Sequence, residues 1–149
     1  MATRQEKYPD TRTFHYYNAN PKNKITTDCV IRAIATALKQ DYNKTVMELA
    51  QMQCDTGYDD GDKKLYDKYL QSKGWIKCKQ PRKADNTKYT GKEWCRRLKE
   101  DITWATNGEN LKRVVANIGG NHVVAIIDGK VNDIWDSTDG CIGNYWIKA

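Results

Sequence analysis

Phenylalanine occurs once in 149 residues and histidine only twice, whereas tryptophan occurs five times and tyrosine nine. The aromatic content therefore sits almost entirely in rings with polar tips, which suits a modest core with wet edges or a binding groove. No long apolar run exists. The longest, Val123-Val124-Ala125-Ile126-Ile127, is far short of the roughly 20 residues a membrane helix needs. The first ten residues, MATRQEKYPD, lack the apolar core of a secretory signal. The five cysteines (29, 54, 78, 95 and 141) are odd in number, irregular in spacing and free of any C-x-x-C. That excludes a disulfide framework or a thiolate zinc site on spacing grounds and predicts free thiols in a reducing cytoplasm. Repeats, linkers and low-complexity tracts are absent, so a single domain over 1–149 is expected.

What is present is a basic chain. The net charge is +6, with 25 Lys/Arg against 19 Asp/Glu. It is concentrated in residues 61–113, while residues 1–60 are neutral and 114–149 are slightly acidic. The basic part also carries Trp75, Trp94 and Trp104. One reading is a platform for nucleic acid or an acidic protein. The plainer and favoured reading is a lysine-rich solvated surface over core tryptophans.

Several elements are legible. Thr26 or Thr27 caps a predicted helix over about 28–39, and Ile31, Ile34, Ala35 and Leu38 fall at helical spacing. Val30, Ala33 and Ala37 fill its other faces, so the helix is predicted to be buried. Further helices are predicted over Thr45 to Gln53, over Lys63 to Ser72 with Gly74 as its stop, and from Thr90 to about Lys99 with Glu93 completing a capping box. The stretch DTGYDDGD reads as a loop without calcium ligands. GWIKCKQP reads as a short strand, and 110–118 fits helix or strand. HVVAIIDGKVNDIW is two strands around Asp-Gly, and GNYWIKA is a last strand. Helices first and an antiparallel sheet last predict an α+β fold.

The chemistry-bearing residues occur in a suggestive order. Cys29 opens the buried helix, His122 opens the first hairpin strand after two glycines, and Asp136 follows the second strand. A helix N-terminus favours a thiolate, a histidine can take the thiol proton, and a carboxylate on the far ring nitrogen fixes the tautomer. A small core cysteine is the bland alternative. Asp28, next to Cys29, would oppose thiolate formation unless it points away. The turn length decides which acid meets His122. A three-residue turn, 127–129, makes Asp136 the diagonal neighbour. A two-residue turn, Asp128-Gly129, reverses the parity, places Trp135 opposite His122 and makes Asp133 the candidate. His15, in the aromatic knot Phe14-His15-Tyr16-Tyr17, reads as packed or exposed rather than catalytic.

DCVIRAIATAL, NHVVAIIDG and DIWDS together resemble the papain-like cysteine peptidase superfamily, nearest to small phage and prophage proteins with D-C-x-x-R-A-I, H-V-V-A and W-D-S elements. The resemblance spans roughly 23–50 and 115–140. It implies N-terminal helices, a buried central helix carrying Cys29, and a C-terminal antiparallel sheet, with 61–113 a variable insertion or helical part. It implies Cys29 as nucleophile, His122 as base, Asp136 as orienting acid and Asn23 as oxyanion donor, with Asn20 and Asn18 as fallbacks. Asn23 departs from the family's usual glutamine. The implied function is a thiol hydrolase cutting a peptide or isopeptide bond, with a protein or peptide substrate, no cofactor and no metal, acting in a host bacterial cytoplasm. Transglutaminase, deamidase and acyltransferase chemistry use a similar set. A catalytically inactive basic binder is the non-enzymatic alternative.

Overall fold

The computed structural model describes residues 2–100 and 111–149. Trp104 and Asn110 lie outside the described residues. The elements in chain order are α1 (Arg4–Lys7), β1 (Phe14–Tyr16), α2 (Cys29–Leu38), α3 (Tyr42–Thr56), α4 (Lys63–Ser72), β2 (Trp75–Cys78), α5 (Gly91–Glu100), β3 (Arg113–Ile118), β4 (His122–Ile127), β5 (Lys130–Asp133) and β6 (Ile142–Lys148).

The fold is α+β, with one six-stranded sheet in the order β1-β5-β4-β3-β6-β2. Its strands are antiparallel except for the edge pair β1–β5, which is parallel. The sheet is thus not confined to the C-terminal third. The aromatic knot supplies β1, with Phe14 fully buried, and the basic middle supplies β2, paired to β6. Among the described residues of 61–113, β2 and the first residue of β3 belong to the sheet.

Helices cover both faces, which explains why the strands read as continuous apolar runs instead of alternating ones. On one face Val114, Ala116, Ile118, Val124 and Ile126 pack with Trp94 and Leu98 of α5. On the other, Val115, Val123, Ala125 and Trp146 pack with Ala33, Ile34, Leu49, Leu65 and Tyr69 of α2, α3 and α4. Trp75 and Trp94 are both buried in these cores. Neither is available as a stacking platform.

The helix boundaries follow their caps. The Asp41 side chain accepts from the Lys44 N–H, so α3 starts earlier than the apolar periodicity indicates, and left-handed Gly57 ends it. Asp62 caps α4. Thr90 and Glu93 form the reciprocal bonds of a capping box at the start of α5.

Two contacts fix α2 along β4. Arg113, at the end of the sheet where it pairs with Ile127, donates to the carbonyls of Thr36 and Ala37 in the last turn of α2. At the other end the Cys29 thiol meets the Val123 backbone. The helix therefore runs alongside β4, and its first residue lies beside the first residues of that strand.

Candidate active site

The position of the acid is set by a two-residue turn. Ile127 pairs with Lys130, Ile126 with Val131 and Ala125 with Asn132. Asp128 and Gly129 both have positive φ (50° and 73°), the signature of a type I′ hairpin. A Cβ on Gly129 would stand 2.6 Å from Lys99 Cγ and 3.1 Å from the Cys95 carbonyl oxygen, so glycine is required there sterically as well as conformationally. Extending the register places Trp135 opposite His122, and the two rings are 5.0 Å apart between centroids. Asp133 becomes the diagonal neighbour.

The expectation for Asp136 is corrected accordingly. His122 Nε2 lies 2.5 Å from Asp133 Oδ2. The Oδ1 of Asp136 instead accepts from the Thr138 N–H (3.0 Å) and hydroxyl (2.5 Å), closing a local turn. The physical reason is parity: a two-residue turn reverses which acid shares a face with the histidine.

Asp133 is buried and saturated. Oδ2 faces His122, while Oδ1 accepts from Arg32 Nη1 (2.5 Å) and from the Ile134 N–H (2.8 Å). Arg32 in turn donates through Nε to Asp28 Oδ1 (2.8 Å). The other oxygen of Asp28 accepts from the Tyr42 hydroxyl (2.6 Å) and Asn20 Nδ2 (3.2 Å). A buried guanidinium thus joins two buried carboxylates, and the planar fork of arginine suits that bridging as lysine would not. Burial works against the charge on Arg32, but its bonds to Asp28 and Asp133 outweigh it and hold the guanidinium firmly charged. Asp28 is committed to Arg32, Tyr42 and Asn20, and makes no side-chain cap bond to α2.

Cys29 and His122 are hydrogen-bonded, and each favours the charged form of the other. Burial pushes the thiol up. Hydrogen bonding to the His122 ring and the Val123 backbone, with the charges of His122 and Arg32, outweighs it and holds Cys29 below its ordinary value. Burial lowers His122, but its bonds to Asp133 and Cys29 raise it to about 9. Since Asp133 engages Nε2, Nδ1 is the nitrogen left for the thiol. Cys95 is the opposite case: buried in the core, its thiol is pushed up to about 12. Cys54 and Cys141 are exposed, and Cys78 is half-buried. His15 binds Asp10 at 2.7 Å on the surface and stacks on Tyr17, apart from this network.

The three loop asparagines lie ahead of α2, and none of them lines the groove at Cys29. Asn23 is exposed with a left-handed backbone (φ 53°), and its Oδ1 accepts from Asn18 Nδ2. Asn18 also donates to the Lys24 carbonyl, and Asn20 donates to Asp28 and Tyr42. Each is engaged in shaping the loop ahead of α2. A groove of about 430 Å³ opens at Cys29, lined by Val30, Ile31, Leu49, Leu65, Tyr66 and Asn121. Its walls come from α2, α3 and the start of α4.

Sequence reading missed Arg32, although its signal was present. Asp28 and Arg32 are four apart, a spacing that stacks them on one helical face. Among the described residues no cluster of His, Cys, Asp or Glu could hold a metal ion, and no helix is long and apolar enough to cross a membrane. Comparison with family models, curated proteins and solved structures finds no match.

Proposed function

We propose that the chain is a cysteine-dependent hydrolase of the papain-like type, cleaving a peptide or isopeptide bond in a protein or peptide substrate. The observation that carries this reading is the ordered contact set Cys29–His122–Asp133, in which the thiol is held below its ordinary value and the imidazole is raised to about 9, so that each shift favours the charged form. The Cys29 thiolate attacks the substrate carbonyl. His122 protonates the leaving group, then takes a proton from the water that hydrolyses the acyl-enzyme. Asp133 orients the ring and stabilises its charge. Arg32 and Asp28 hold Asp133 in place.

The groove beside Cys29 gives an extended peptide a surface on which to lie. The resemblance of the sequence to phage proteins supports, as a setting, a bacterial cytoplasm during phage infection, where free thiols persist. The test is to incubate the protein with a denatured bacterial lysate and read new peptide termini by mass spectrometry, with Cys29→Ala as control. New termini dependent on Cys29 support hydrolysis. A one-dalton gain on glutamine, or attachment of an added amine, assigns the same site to deamidase or transglutaminase chemistry. Identical patterns from wild type and Cys29→Ala would reject a Cys29 enzyme of either kind.

A further inference from the structure

Thiol attack on a carbonyl builds negative charge on the carbonyl oxygen, and a donor must await it. The backbone N–H of Cys29, at the first helical position, is one such group, since the first turn of a helix leaves its amides without internal partners. A second donor is needed; Asn18 and Asn20 donate elsewhere, and Asn23 is exposed and does not line the groove at Cys29.

Tyr66, in α4, lines the same groove as Cys29 and is buried. Its hydroxyl oxygen accepts from Asn117 Nδ2 at 2.7 Å. Asn117 stands directly across the sheet from Val123, the residue whose backbone meets the Cys29 thiol. Tyr66, Asn117, Val123 and Cys29 are therefore one contiguous cluster. Asn117 occupies one lone pair of the Tyr66 oxygen, and no acceptor for the hydroxyl proton is present among the described residues. The Asn117 Oδ1 is itself buried without a partner, so the amide's contact is made through its nitrogen alone. Burial raises the phenol above its ordinary value; the bond from Asn117 works against this, and the nearby charge of Cys29 adds to the rise, so the hydroxyl keeps its proton. An edge-on contact with Trp146, 5.5 Å between centroids, limits the ring's movement.

We propose that the Tyr66 hydroxyl, oriented by Asn117, is the second oxyanion donor, acting with the Cys29 N–H. The proposal rests on Cys29 being the acyl-accepting nucleophile. Tyr66 donates a hydrogen bond as the tetrahedral oxyanion forms and keeps its proton throughout. Asn117 is a positioning residue.

Two reagents separate this role from any effect on the thiolate. Iodoacetamide alkylates the thiolate by displacement and forms no oxyanion. p-Nitrophenyl acetate acetylates it: the thiolate adds to the acyl carbon, the tetrahedral oxyanion collapses, p-nitrophenolate leaves, and a thioester remains on Cys29. Both are read on the Cys29 peptide by mass spectrometry at pH 7. In Tyr66→Phe, acetylation is expected to fall about tenfold or more while alkylation is unchanged. Asn117→Ala, with the hydroxyl present but unguided, should show a smaller selective loss, and it serves if Tyr66→Phe does not fold. Equal rates in wild type and variant, or acetylation and alkylation falling in step, would overturn the proposal. If wild-type Cys29 reacts with neither reagent faster than a free cysteine, the hydrolase reading itself fails, and the assignment of Tyr66 falls with it.

Discussion

His122 Nε2 lies 2.5 Å from Oδ2 of Asp133, three residues before the aspartate that the sequence resemblance favours. The contact exists because the hairpin turns in two residues, and on the proposed function it makes Asp133 the acid that orients His122. Asp133→Asn should cut the rate of Cys29 acetylation by about a hundredfold or more, since the amide removes the charge that supports imidazolium and perturbs the tautomer. Asp136→Ala should leave that rate within twofold and cost about 1 kcal/mol of stability through the lost turn bonds to Thr138. Rate measurements on the Cys29 peptide and urea titrations check the pair.

Arg32 is the second prediction. Its guanidinium is shared by Asp28 and Asp133, both buried. Removing it takes the shared cation from two buried carboxylates, leaving Asp28 only the neutral donors Tyr42 and Asn20 and Asp133 only His122 and the Ile134 N–H. Arg32→Ala should therefore destabilise the protein by about 3–5 kcal/mol, measured by chemical denaturation. Arg32→Lys should recover only part of this, because one ammonium cannot reproduce the fork that reaches both acids.

The ion pair also has a pH signature in stability. The folded His122 is raised to about 9 from an ordinary 6.5, so its contribution is complete below about 6.5 and is lost as pH rises through 9. Cys29 is lowered, so its contribution is present above the ordinary thiol value and is lost as pH falls through its folded value. The Tm difference between wild type and His122→Ala should accordingly be large at pH 7 and shrink between pH 8 and 10. A difference that stays constant across that range would remove the raised imidazole from the account.

The turn supplies a fourth test. Gly129→Ala forces a side chain onto a backbone at φ 73° and into Lys99 and the Cys95 carbonyl. A loss of about 1–3 kcal/mol is expected in thermal or urea unfolding. Inserting one glycine after Gly129 should do more. It reverses the parity of β5, takes Asp133 from His122 and returns the Cys29 thiol towards ordinary reactivity.

Elements with a local chemical signature were readable in advance. The α4 helix runs from Lys63 to Ser72 as its periodicity and Gly74 predict, and the Thr90–Glu93 capping box is in place. Cys29 and His122 come together as their positions at a helix start and a strand start suggest. Harder to read were features decided by pairing at a distance. β1 is a three-residue edge strand whose partner, β5, lies more than 110 residues away, and nothing local in Phe14-His15-Tyr16 marks it. Asp133 and Asp136 differ only through turn parity, which one residue reverses. Asn23 had the right spacing from Cys29, but a loop asparagine with left-handed backbone and neighbouring asparagines folds back on its own segment. Arg32 gains its meaning from Asp133, a partner about a hundred residues away that local sequence does not reveal.

The most direct test is the alkylation rate of all five cysteines by iodoacetamide from pH 4 to 9, read peptide by peptide in wild type and His122→Ala. The account predicts that Cys29 alone reacts rapidly near pH 6, well below a free thiol's range of about 8.5, and that His122→Ala abolishes this advantage. If Cys29 is inert, or follows the same pH curve as exposed Cys54 and Cys141, there is no thiolate–imidazolium pair, and the central claim is contradicted.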